Sequence, residues 1–113
     1  MGIQLKPEWQ DNPECEALLR LMTKGFRYRG SGTVPIIYFL CGLWDGNNYR
    51  PDMQLLCRRI EDDSFNDVVT VMQLIRRTNK ETHDFFEHGE VLMKTLSEHV
   101  SQTRPCEEDS IAN

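Results

Sequence analysis

His83, Asp84, Glu87 and His88 are the densest group of metal-capable side chains in the sequence. On a helix His83 would meet Glu87 and Asp84 would meet His88, each pair four residues apart. A transition-metal site wants two imidazoles on one face, as the spacing in HExxH provides. Here the two histidines are five positions apart and point in different directions. The group reads as a solvated face with helix-supporting pairs, and His99 is too distant in sequence to add to it. Nucleophilic catalysis needs a serine or cysteine within hydrogen-bond reach of a histidine. Cys15, Cys41 and Cys57 each lie in an apolar stretch, where a free thiol behaves as a small hydrophobe, and there is no GxSxG elbow. With Cys106 they contain no CxxC pair and fit no zinc spacing. Gly25, Gly30 and Gly32 precede no Gly-Lys-Ser/Thr and so make no P-loop. No catalytic residue, metal ligand or cofactor is expected, and the chain reads as non-enzymatic.

Two groups suit binding. Lys24, Phe26, Arg27, Tyr28 and Arg29 interleave cations with aromatic rings, a pattern that fits base stacking and phosphate contact. The same enrichment in arginine and tyrosine marks protein–protein hot spots, and Phe26, four residues after Met22, could simply finish a helix core. Asp62, Asp63, Asp67, Glu87 and Glu90 form the second group, an acidic face able to meet a basic partner. Capping of a helix start accounts for the first three equally well.

These residues must be positioned by helices. Asn12-Pro13-Glu14 has the chemistry of a helix start, and Cys15, Leu18, Leu19 and Met22 recur on one face over 13–24. Gly25 is a ready C′ residue, followed by a glycine-rich loop over 25–33. VPIIYFLCGLW (34–44) is the most apolar segment, and too short for the roughly 20 residues that span a bilayer. Its composition permits a buried strand. A buried helix capped by Ser31 or Thr33 is favoured, because nothing else in the chain offers a strand partner; Phe39, Leu40, Leu43 and Trp44 should then be buried. Asp45-Gly46-Asn47-Asn48 is a turn. A third helix opens at Pro51-Asp52, with Met53, Leu56, Cys57 and Ile60 at helical spacing. Ser64 and Asp67 resemble a capping box for a fourth helix whose inward face would be Phe65, Val68, Val69, Met72 and Ile75. A last helical stretch covers about 82–100, with a break at Gly89.

The chain has 113 residues, 39% hydrophobic and 27% charged, which suits one globular domain. The organisation expected is a compact all-α single domain of four or five helices at 12–100. An N-terminal arm (1–11) and a disordered acidic tail (101–113) flank it. Thirteen basic against eighteen acidic residues give a net charge of −5, the opposite of the balance that phosphate neutralisation favours. Residues 1–60 carry +2 and residues 61–113 carry −7. The N-terminus lacks the apolar run of a secretory signal, and Lys6 stands where myristoylation wants serine or threonine. A bacterial cytoplasm is the expected location, with no membrane association.

The run Gly32…FLCGLWDGNNY…Met53…Ile60…DVVTVMQLI, followed by His88-Gly89-Glu90, resembles a small uncharacterised family carried on proteobacterial plasmids, phages and integrative elements. The similarity covers about 14–96, with Cys41-Gly42 in place of a bulkier pattern, and brings no catalytic residues. It implies an accessory gene of a mobile element. The function expected is binding without chemistry. The partner would be a host or element-encoded protein, sharpest as a CRISPR effector or restriction nuclease whose functional surface is occupied, and a dimer is compatible with this. The alternative is a small nucleic-acid-binding regulator using the segment 24–29.

Overall fold

The computed structural model describes residues 3–27 and 33–102. Five helices follow in order: α1 (Pro13–Arg27), α2 (Val34–Trp44), α3 (Met53–Arg58), α4 (Asp62–Thr78) and α5 (Gly89–Gln102). Single 3-10 turns lie at Pro7–Trp9 and Thr82–Phe85. Among the described residues there is no strand, only an isolated antiparallel bridge between Leu5 and Phe86. The protein is all-α. Its core forms where α1 packs along α4 and α2 packs along α5, with α1 and α2 also in contact. The tail beyond 102 lies outside the described residues.

The helix start at Asn12 follows from local chemistry. The Asn12 side-chain oxygen accepts from the backbone N–H of Glu14 at 2.8 Å and of Cys15 at 3.2 Å, satisfying two donors that a first turn leaves open. The end of α1 differs from expectation. The helix continues through Gly25 to Arg27, so Gly25 is an interior residue and not a C′ residue. A Cβ there would lie 3.2 Å from Leu96 Cδ1 and 3.3 Å from Ile37 Cγ1. Tertiary packing of α2 and α5 against this bare position offsets the roughly 1 kcal/mol that glycine costs a helix.

Residues 34–44 are helical. Thr33 is the N-cap residue but makes no side-chain capping bond, and Ser31 lies outside the described residues. Phe39 and Leu40 are buried, whereas Leu43 and Trp44 are only half-buried, because this end of α2 carries the returning turn. Gly42 lets that turn come close, since a Cβ would stand 3.0 Å from the Tyr49 carbonyl oxygen. Tyr49 then stacks against Trp44 with ring centroids 6.5 Å apart. Asp52 caps α3 by accepting from the Leu55 N–H at 3.2 Å. Cys57, expected in an apolar setting, is exposed.

Helix α4 is rotated relative to the expected phase. Its buried residues are Ser64, Asp67, Val68, Val71 and Leu74, whereas Phe65, Val69 and Met72 are 37, 37 and 39% exposed. The expected capping box is absent too: Glu61 is the N-cap, and Ser64 and Asp67 lie inside the helix facing α1. The stretch 82–100 is not one helix. Thr82–Phe85 is a 3-10 turn closed by reciprocal bonds between Glu81 and Asp84, His88 takes a left-handed φ of 54°, and α5 begins at Gly89. The arm docks onto this corner from Ile3 onward. Lys6 N–H donates to the Phe85 carbonyl at 3.0 Å, Glu87 N–H donates to that of Gln4 at 2.9 Å, and Trp9 meets Phe85 edge-on at 5.0 Å.

Candidate interaction surface

The seam between α1 and α4 holds most of the strong polar contacts. Arg20 donates Nε to Asp67 Oδ2 at 3.0 Å and Nη2 to Oδ1 at 2.9 Å. The Asp67 side chain is 10% exposed and that of Arg20 56%. Lys24 Nζ donates to the buried Ser64 hydroxyl. At the other end Arg77 forks onto Glu14, with Nη1 donating to Oε2 at 2.8 Å. The Arg77 hydrogen bonds hold the Glu14 carboxyl below its ordinary range, and the Asp67 hydrogen bonds push the Arg20 guanidinium upward. These groups fasten two helices, and their charge is largely spent inside the protein.

The acidic residues therefore do not form one face. Asp67 is consumed by Arg20, a correction to its place among the candidate contacts. Asp62 and Asp63 are exposed in the first turn of α4, and Asp63 lines a cleft with Arg20, Lys24 and Asn66. Glu87 and Glu90 are exposed beside the start of α5, and Glu87 lines a different groove, of about 400 Å³, with Ile3, Phe26, Val91 and Leu92. The basic-aromatic segment is divided as well. Lys24, Phe26 and Arg27 are the last turn of α1, not loop residues; Tyr28 and Arg29 lie outside the described residues. Phe26 is half-buried and meets His99 edge-on at 5.2 Å, so it contributes to the packing of α1 on α5.

The pairing expected around His83 is replaced, because 82–88 is not an α-helix. Its ring lies 3.8 Å from Glu81 Oε1, 3.5 Å from Asp84 Oδ1 and 3.7 Å from Glu90 Oε2. Among the described residues no group of three or more His, Cys, Asp or Glu side chains is gathered to hold a metal ion. Burial pushes the Cys15 thiol up to about 11 and the Cys41 thiol to about 12, so both stay protonated and unreactive at neutral pH.

What sequence reasoning missed is the ridge Phe65–Val69–Met72, which was assigned to the core. A signal for it was present. Apolar residues at 65, 68, 69, 71, 72, 74 and 75 span about 220° of the helix circumference, where one core-facing stripe needs roughly 100°. The excess width has to face something other than the core. Asp62 lies at the N-terminal end of this ridge and Arg76 at the C-terminal end, both exposed.

Residues 15–101 match a family of unknown function, DUF7673. The chain belongs to that family. The matched span contains α2, α3 and α4, all but the first two residues of α1 and all but the last of α5, so the ridge and, apart from Glu14, the α1/α4 seam lie within the family domain. Comparison with curated proteins and with solved structures found no match. No helix among the described residues is long and apolar enough to cross a membrane.

Proposed function

We propose that this member of the DUF7673 family acts by binding another protein, without chemistry of its own. The observation that carries this reading is the contrast on the two sides of α4. Its inward polar residues, Ser64 and Asp67, are paired with α1, while Phe65, Val69 and Met72 leave large apolar side chains exposed. Neighbouring exposed hydrophobics rimmed by charged residues are the usual mark of a protein-binding surface. The finer reading takes the resemblance to mobile-element families into account. The partner is then a component of a host defence system, a CRISPR effector or restriction nuclease, and Asp62 and Asp63 beside the ridge steer it toward a basic surface. The nucleic-acid alternative has less support, since Lys24 is bonded to Ser64 and Phe26 is packed on His99.

The test is affinity capture from a cell that carries the gene, with the intact chain and with Val69→Lys/Met72→Lys as baits. A protein retained by the first and lost by the second, at unchanged thermal stability, supports the reading. Equal capture by both baits, or salt-sensitive capture of nucleic acid alone, refutes it.

A further inference from the structure

The ridge on α4 has a composition that is complementary to itself when reversed. Residues 62, 65, 69, 72 and 76 recur at spacings of three and four, the a/d seam of a coiled coil. Along that seam the residues are Asp62, Phe65, Val69, Met72 and Arg76, and all five are exposed. Asp62 and Arg76 each lie seven residues from Val69, a distance of about 10.5 Å along the axis. Neither has an ion-pair partner among the described residues. The neighbouring acid and base are occupied elsewhere: Arg77 holds Glu14, and Asp63 lies beside Arg20 and Lys24.

We propose that a second copy of this chain docks on this ridge, antiparallel, about a two-fold axis through Val69. This rests on the protein-binding reading of the ridge and departs from its finer version, in that the occupant is a second copy and not a defence component. The arrangement places Val69 on Val69 and packs Phe65 beside Met72. Asp62 of each copy then meets Arg76 of the other, so one patch makes both ion pairs, as an isologous contact requires. The parallel alternative would oppose Asp62 to Asp62 and Arg76 to Arg76, and would align the two helix dipoles unfavourably. Charge pattern and dipole thus select the same orientation.

A single pair of helices buries less than the roughly 1,200 Å² of a standard interface, so the dimer is expected to be weak and concentration-dependent. Sedimentation velocity on the full chain, up to about 500 µM so as to reach such a weak equilibrium, should show monomer passing to dimer. Asp62→Arg and Arg76→Glu should each weaken association at least about tenfold, through like charges brought together. Mixing the two variants should restore it, as should Asp62→Arg/Arg76→Glu in one chain. Val69→Lys, placed at mid-helix, disrupts the seam without touching the helix ends and controls for a folding defect at Asp62. A chain that stays monomeric at every concentration, or charge-reversed variants that fail to recover when mixed while remaining folded, overturns self-pairing. If that happens while Val69→Lys/Met72→Lys still loses a captured protein, the ridge serves a different partner and only the second copy is refuted.

Discussion

Gly89→Ala sets two effects of known size against each other. Gly89 starts α5 without a positive φ, so by helix propensity alone alanine should stabilise it by about 1 kcal/mol. A Cβ at this position, however, would stand 1.9 Å from the His83 carbonyl oxygen, 2.7 Å from its carbon and 2.9 Å from His83 Cα. All three are backbone atoms, so no rotamer change relieves the overlap. His83 cannot retreat freely either: its turn is closed by Glu81 and Asp84, and Phe85, two residues on, is fully buried and accepts from the Lys6 N–H. Separating the atoms to normal contact moves the 82–86 backbone by more than an ångström and loosens the docked arm. Overpacking that forces backbone shifts costs about 1–3 kcal/mol and sometimes more, and a clash with fixed backbone belongs at the upper end. Set against the propensity gain, the expected result is a net loss of about 2 kcal/mol, measured by urea unfolding. Gly25→Ala is the control, since its new Cβ would press only on side-chain atoms, Leu96 Cδ1 and Ile37 Cγ1, at 3.2 and 3.3 Å, and it should stay within about 1 kcal/mol of the parent. A stable Gly89→Ala protein would refute the steric account of the His88-Gly89 corner.

The Arg20–Asp67 pair should respond asymmetrically. Arg20→Ala strands a carboxylate that is 10% exposed and should cost about 2–3 kcal/mol, whereas Asp67→Asn leaves a cation that is already half in water and should cost about 1; chemical denaturation of both variants checks the order. Leu40, fully buried at the centre of α2, should cost about 2–5 kcal/mol when replaced by alanine, again read by denaturation. Cys15 and Cys41 have thiol pKa values raised above the unfolded value, so the unfolded chain loses these protons first. Stability should therefore be full below about pH 9 and fall as pH rises toward 11–12. The slope in this window should lessen in Cys41→Ala, and thiol labelling at pH 8 with mass mapping should modify exposed Cys57 well before either buried cysteine.

Local chemistry was the legible part of the sequence. The Asn12 and Asp52 caps depend on side chains two or three residues from the groups they bond, and both formed as their spacing implied. The apolar run 34–44 also became the expected helix. Non-local effects were not legible. Gly25 has the chemistry of a helix end, and only the approach of Leu96 and Ile37 explains why the helix continues through it. The phase of α4 cannot be placed from its apolar residues alone, because two polar residues lie on its inner face. Asp67 and Ser64 are buried there by virtue of Arg20 and Lys24, which lie 47 and 40 positions earlier. The exposed ridge therefore lies where the apolar pattern predicts core, and the buried Asp67 carboxylate where the charge pattern predicts surface.

The most direct measurement is site-specific photo-crosslinking in the cell, with a photoreactive residue placed at Val69 and, separately, at Val91. Both side chains are apolar and exposed, 37 and 66% respectively, so exposure alone would favour Val91. Protein binding through α4 requires a discrete protein adduct from position 69, whether to a second copy or to another chain, and far less from position 91. No adduct at 69, adducts at 91 alone, or adducts to nucleic acid would contradict it.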